Sequence, residues 1–358
     1  MKKHLIAAAV AGALAVPAMA QVTISGTMDV GILNQDKATS EAASAVVTKN
    51  DQTGRTNGLN GTTEIVFSGS EDLGGGLKAG FKLAQGMTNA AESARDHFVS
   101  LSGGFGGVRV GRFSPALEGN FAKFAGAITT NTHGSVDSNS SFWTNRTSAG
   151  DFGRQNNVIE YKSPKLAGAT LSVAYANNKV KNSSNTDAMT TDNGVGTDVD
   201  QRNQTDFTLD YSAGPLAGFI SIAKAERTLD AGDAKDKTDM NAVGVSYNAG
   251  MATFSVAHST MKAKDGSTQT NKGHLTGYGV TVPMGAITFQ LSAYSGEDKM
   301  GGGSDGKDKL KGHQIGVLYA LSKRTTVYAI QGLNQEDDAD VAGKDKDQEY
   351  SIGITHKF

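Results

Sequence analysis

Glu349-Tyr350-Ser351-Ile352-Gly353-Ile354-Thr355-His356-Lys357-Phe358 is the last stretch of the chain. Tyr350, Ile352, Ile354, His356 and Phe358 fall on one face of an extended backbone, and Ser351, Gly353, Thr355 and Lys357 on the other. Alternation with period two marks a strand whose two faces meet different solvents. An apolar strand that ends on an aromatic residue needs a neighbour on both sides, because an open edge invites aggregation. If the first strand of the mature chain supplies that neighbour, the sheet closes. The stretch therefore predicts a closed β-barrel in a membrane, with Tyr350, Ile352, Ile354 and Phe358 at its seam.

The opposite end fits an exported chain. Lys2 and Lys3 precede an apolar run from Leu5 to Val16, and Ala18-Met19-Ala20 has the small-x-small form of a cleavage site. The run is shorter than the roughly 20 residues a spanning helix needs. The expectation is a signal peptide over residues 1–20 and one barrel domain over residues 21–358. Removing Lys2 and Lys3 from 34 basic residues leaves 32 against 36 acidic ones, a net −4, which is not the balance of a nucleic-acid binder. The chain has no cysteine, so disulfides and metal–thiolate sites are excluded. It has 45 glycines and only 5 prolines, without a Gly-x-y period, as many strands and tight turns require.

Outward from the terminal stretch, the same alternation recurs along the chain. Val22, Ile24, Met28, Val30 and Ile32 share a face, then Ile65 and Phe67, then Leu77, Ala79, Phe81 and Leu83. Later strands carry Ile159 and Tyr161; Leu171, Val173 and Tyr175; Phe207, Leu209 and Tyr211; Val243, Val245 and Tyr247. Tyr278, Val280 and Val282, then Ile287, Phe289 and Leu291, and Ile315, Val317, Tyr319 and Leu321 complete the pattern. The strands at 219–226 and 325–333 have no assignable facing. Tight turns such as Glu71–Gly76 and Gly103–Gly107 alternate with long polar loops, among them Asn34–Asn57, Asn177–Asn203, Gly296–Lys309 and Asn334–Lys346. The count is sixteen strands in hairpins, an all-β, antiparallel, transmembrane barrel. A stacked β-solenoid would need a short fixed repeat, which is absent.

A barrel of about sixteen strands is too wide for side chains to fill, so its lumen holds water and admits small solutes. Alternation fails from Ser114 to Gly153, about forty residues, longer than a compact domain tolerates without a purpose. This segment is expected to fold into the lumen, where non-strand backbone at membrane depth is allowed. No nucleophile elbow, close metal-ligand spacing or phosphate loop occurs, so no catalytic site and no cofactor are expected.

Five motifs, in order, resemble the trimeric Gram-negative general porins, especially the β-proteobacterial type. They are Ser70-Glu71-Asp72-Leu73-Gly74; Arg95 with Gly104 to Arg112; Arg154 to Pro164; Leu321-Ser322-Lys323-Arg324-Thr325; and the terminal Phe358. The resemblance spans the mature chain. It implies an outer-membrane homotrimer with loop 3 inside each barrel, and an arginine cluster on the wall facing acidic groups on that loop. Position by position, Arg95 matches a wall arginine. Arg146 and Arg154 lie where basic residues lead back from loop 3, and either could face the constriction. Arg112 could line the pore or anchor the loop's departure. Glu118 and Asp137 are the acidic candidates on the loop, and the family's Pro-Glu-Phe-Gly motif is not plainly present. Glu64 and Glu160 stand where relatives often have basic residues. The partners implied are small hydrophilic solutes and ions, outer-membrane lipid and lipopolysaccharide, periplasmic chaperones and the barrel-assembly machinery. The function implied is general diffusion; a substrate-selective channel with a saturable site is the alternative.

Overall fold

The computed structural model describes residues 21–41, 44–57, 62–87, 92–126, 128, 152–179, 199–229, 235–265, 268–300, 307–337 and 345–358. The expected signal segment, residues 1–20, lies outside them. The strands are β1 (Gln21–Glu41), β2 (Ser44–Asn57), β3 (Glu64–Gly74), β4 (Leu77–Met87), β5 (Glu92–Gly103), β6 (Gly106–Phe113), β7 (Gln155–Lys162), β8 (Ala169–Lys179) and β9 (Val199–Ala213). They continue as β10 (Leu216–Leu229), β11 (Lys235–Asn248), β12 (Thr253–Asp265), β13 (Thr268–Met284), β14 (Ile287–Met300), β15 (Asp308–Ala320), β16 (Thr325–Asp337) and β17 (Asp345–Lys357). Among the described residues one helix, α1 (Ala116–Phe124), follows β6.

β1 pairs antiparallel with β2, each strand from β3 to β16 pairs antiparallel with the next in the chain, and β17 returns to β1 over Thr27↔Lys357 to Ala38↔Lys346. On its other side β1 meets β2 with its later half and β3 with its first seven residues. β2 and β3 thus share one position, and sixteen positions close the barrel.

The seam is built differently on its two faces. Outside, Phe358 exchanges backbone hydrogen bonds of 3.1 Å with Gly26 in both directions. A Cβ at Gly26 would come within 2.5 Å of Phe358 Cζ, so glycine here lets the terminal ring lie flat on the first strand. Inside, the buried Asp29 carboxylate accepts hydrogen bonds from Tyr328 Oη (2.8 Å) and from Thr355 Oγ1. The Asp29 N–H donates to Thr63 Oγ1 at 3.1 Å, and that hydroxyl donates to the Asp29 carbonyl at 3.0 Å. One residue thereby ties β16, β17 and β1 to the entry of β3.

The outward faces carry the apolar set read from the alternation: Ile24, Ile32, Val99, Ile159, Phe207, Val243, Tyr278, Leu291 and Ile352 are all exposed. The two strands without an assignable facing are now placed. Phe219, Ser221, Ala223 and Ala225 point inward while Ile220 and Ile222 point out; Tyr328 and Ile330 point inward.

Strand boundaries differ from expectation at the long-loop end. Asn34–Asn57 was expected as a loop, but β1 continues to Glu41 and β2 returns alongside it from Ser44. Asn177–Asn203, Gly296–Lys309 and Asn334–Lys346 likewise lose residues to the ends of β8, β9, β14, β15, β16 and β17. Beyond the membrane both strand faces meet water. The backbone ladder continues there, but the apolar alternation that signals a strand does not. The strand that carries Ile65 and Phe67 begins at Glu64.

Candidate functional site

The expected unstructured segment from Ser114 contains α1, and α1 lies in the lumen. Its apolar side, Leu117, Phe121 and Phe124, is buried together with Ala125, Phe219, Ala223, Met240, Ala242, Ala257, Met261 and Leu275. From Phe219 to Leu275 those residues belong to the inward faces of β10–β13. The Phe124 and Phe219 rings pack tilted at 40° with centroids 5.2 Å apart. Burial of three such side chains is worth about 5–8 kcal/mol, enough to hold a nine-residue helix against the wall. Room for it comes from wall glycines. A Cβ on Gly244 would lie 2.7 Å from Phe124 Cβ, and one on Gly279 would lie 2.5 Å from Gly126 Cα. Ile128, the next described residue, packs with Tyr328 and Ile330 on β16.

Polar groups of β9 fasten both ends of this segment. Pro115 gives α1 no capping side chain. The buried Asp206 carboxylate instead accepts from the Leu117 N–H at 3.3 Å, and also from Thr208 Oγ1 (2.7 Å) and Ser221 Oγ (3.3 Å). A carboxylate at a helix N-terminus satisfies an otherwise unpaired donor and the helix dipole. Asn120 Nδ2 donates to Asp210 Oδ1 at 2.8 Å, and on the return the Phe152 N–H donates to Gln204 Oε1 at 3.1 Å.

The opposite part of the wall is charged and partly exposed. Arg95 Nε lies 3.0 Å from Glu64 Oε2. Asp96 accepts Lys82 Nζ on one oxygen and Arg154 Nε on the other, both at 3.0 Å. Each of these side chains keeps between 22% and 32% of its surface in solvent. Glu118, in the first turn of α1, completes the group. Its carboxylate is 4.0 Å from where a Cβ on Gly153 would stand, beside Arg154, and its charge acts on Arg95.

Of the expected site residues, Glu64, Arg95, Arg154 and Glu118 therefore come together. Arg112 is placed otherwise: it pairs in register with His97 and donates to Ala94 O (3.3 Å) and Asn156 Oδ1 (2.7 Å). Glu160 is only 4% exposed and accepts Arg109 Nε and Nη2 at 2.8 and 3.1 Å, so it closes an internal pair. The Arg109 guanidinium also covers the Phe113 ring at 3.8 Å. Arg146 and Asp137 lie outside the described residues.

A sequence profile for the family described as Gram-negative porin matches residues 7–339. The chain is a Gram-negative porin. Outer membrane porin protein 32 of Delftia acidovorans is 30% identical, over 99% of this chain and 95% of that protein. The major outer membrane protein P.IB of Neisseria sicca is 29% identical, over the whole of both. Among solved structures, the anion-selective porin from Comamonas acidovorans superposes with a TM-score of 0.71 at 24% identity, covering 95% of this chain and all of that one. The protein is thus an outer-membrane diffusion porin.

The porin's charged wall holds two residues that the sequence reading missed. Lys82 stands between the outward Phe81 and Leu83, so alternation alone places it inward. Asp96 is different. Arg95 and Asp96 are adjacent, and strict alternation would separate their faces. A bulge in the β4–β5 ladder, where Leu83↔His97 shifts to Gln85↔Ala94, lets both reach the lumen.

Proposed function

We propose that the porin's constriction lies between Glu118 on α1 and the wall group Glu64, Lys82, Arg95, Asp96 and Arg154. One observation carries this reading: α1 is seated on an apolar, glycine-lined half of the inner wall, while the charged, water-exposed half faces it. Three acids and three bases then line the passage. Rings of fixed charge bias permeation toward counter-ions, and a balanced ring biases it little. The porin therefore passes small hydrophilic solutes and ions of both signs with weak selectivity. An anion preference weaker than an all-arginine wall would give, or a mild cation preference, is the expected result. Arg112, bonded to Asn156, serves to anchor the loop's departure. Arg146 and Asp137 stay candidates from the sequence alone.

The porin acts as a channel rather than an enzyme. It works as a homotrimer, in keeping with a trimeric neighbour, the in-vitro folded OmpT of Vibrio cholerae, which superposes at a TM-score of 0.68 and 11% identity over 95% of this chain and 99% of that one. The segment 1–20 is removed on export, so N-terminal sequencing of the mature protein should begin at Gln21. Periplasmic chaperones and the assembly machinery then receive a strand that ends on Phe358. Lipid and lipopolysaccharide surround the finished barrel.

Reconstitution into planar bilayers tests the proposal. Ohmic conductance, linear with solute concentration, is expected. Saturation by one solute class at low concentration would establish the substrate-selective channel instead.

A further inference from the structure

We propose that Asp29, on the first strand, is a positioning residue for the inward segment that begins with α1, and that it acts through Tyr328. This is a second anchor for that segment, and it does not depend on which charges line the constriction.

The observation is one buried side chain with two attachments. The ring of Tyr328, on β16, forms a cluster with Ile128 and Ile330, against which Leu33 of β1 and Leu318 of β15 pack. Ile128 follows α1 in the chain, so the inward segment meets the wall here a second time. A Cβ on Gly316 of β15 would stand 3.1 Å from Ile128 Cγ2, so the glycine leaves room for this contact. The Tyr328 hydroxyl reaches across the seam. Tyr328 stands opposite Gly353 of β17, and Gly353 opposite Gly31 of β1. A Cβ on Gly353 would lie 2.2 Å from Tyr328 Oη, so glycine is what lets the phenol cross β17. Beyond it the hydroxyl donates to Asp29 Oδ1 at 2.8 Å, and Thr355 Oγ1 donates to Asp29 Oδ2. Asp29, Tyr328 and Thr355 are all buried. A buried phenol needs an acceptor, and an ionised one holds it most strongly.

A second tyrosine is built alike. Tyr294 on β14 crosses Gly312 of β15, where a Cβ would lie 2.2 Å from its Oη, and it donates to Asn334 Oδ1 on β16 at 2.6 Å. Its ring belongs to the cluster that buries Leu117, Phe121 and Phe124. Each wall contact of the inward segment thus includes a tyrosine whose hydroxyl is fixed two strands away. The acceptor of Tyr294 lies three strands short of the chain's end, on β14–β16 themselves. The acceptor of Tyr328 lies on β1, so it is supplied only when the barrel closes. Without the Asp29 carboxylate the phenol loses the group that sets its ring, and that ring is part of the surface under Ile128. Closure of the seam and seating of the inward segment are coupled through this one side chain.

The test measures tryptic cleavage at Lys123 and single-channel noise in the folded full-length porin, beside the temperature at which the folded barrel is lost. Asp29→Ala removes the acceptor, while Thr63 still holds the Asp29 backbone. At a temperature where the barrel is intact, cleavage should be about tenfold faster than in wild type, the usual worth of a hydrogen bond to a charged group. Tyr328→Phe keeps the ring under Ile128 and removes only the hydroxyl. It should behave like Asp29→Ala, and it carries the test if that variant does not fold. Asp29→Asn retains an acceptor oxygen and should restore wild-type cleavage and noise. Asp29→Ala and Ile128→Ala act through the same ring, so their combination should be cleaved at least about threefold more slowly than the product of the single effects. Effects that simply multiply overturn the proposal. So does a lower unfolding temperature with unchanged cleavage and noise in both Asp29→Ala and Tyr328→Phe, which would make Asp29 a seam residue alone.

Discussion

The two halves of the inner wall obey the same geometry and carry opposite chemistry. On β3–β5 and at the start of β7, inward positions hold Glu64, Lys82, Arg95, Asp96 and Arg154, all partly exposed. On β10–β13, inward positions hold Phe219, Ala223, Met240, Ala242, Met261 and Leu275, all buried. Both sets face the lumen of one barrel. The first meets water, and the second meets α1. Facing inward therefore does not mean facing solvent. In this porin the largest apolar cluster among the described residues is the contact between one loop and one half of the wall, and the charged part of the wall is left to conduct.

The sharpest way to break the contrast is to unseat α1. Phe124→Ala removes a buried ring from the helix–wall contact, at a cost of about 3–5 kcal/mol. The loop should then leave the wall for part of the time. The measurable outcome is tryptic cleavage at Lys123 in the folded barrel together with noisy single-channel current. A quiet channel that resists trypsin would show that the helix is held by something other than its apolar face.

Asp206→Ala attacks the same seat from the polar side. It leaves the Leu117 N–H without its acceptor and should cost about 1–3 kcal/mol. Flicker should increase as for Phe124→Ala, but less. Asp206→Asn keeps an acceptor oxygen and should lie between the variant and wild type.

Changes on the charged half should leave the loop in place and alter selectivity. One charge about 6 Å from a permeating ion in water is worth about 0.7 kcal/mol, a threefold change in permeability ratio. Under a salt gradient, Glu64→Arg should move the reversal potential toward anions by more than this, since it reverses a charge. Asp96→Asn, which releases Lys82 and Arg154, should move it toward anions by about this factor, and Arg95→Ala should move it toward cations. If none of the three moves it, the narrow part lies elsewhere. The smallest effect is expected for Glu160→Gln. That carboxylate is buried against Arg109, so thermal stability should fall while the reversal potential stays where it was.

Much of the barrel was legible because a membrane barrel writes its outer face into every second residue. The alternation in Phe207, Leu209 and Tyr211 is a local signal, set by lipid on one side, and it needs no knowledge of the rest of the fold. Four of the six residues of the candidate site were legible too, although Glu64, Arg95, Glu118 and Arg154 came through family resemblance rather than periodicity. Glu160 was visible in the same way, but nothing local reveals that Arg109 on the neighbouring strand neutralises it.

Sequence alone determined the number of barrel positions, the outward faces, the seam at Phe358 and the location of the long inward segment. Each of these depends on short-range pattern or on the chain's need to leave no strand edge unpaired. Tertiary structure alone decided which half of the wall α1 covers, that Asp206, Asp210 and Gln204 fasten it, and that Asp96 joins Arg95 through a bulge. Those outcomes depend on residues far apart in sequence, such as Leu117 and Asp206 or Phe124 and Gly244. Contacts of that kind form only once the barrel has closed and brought its strands round to face one another.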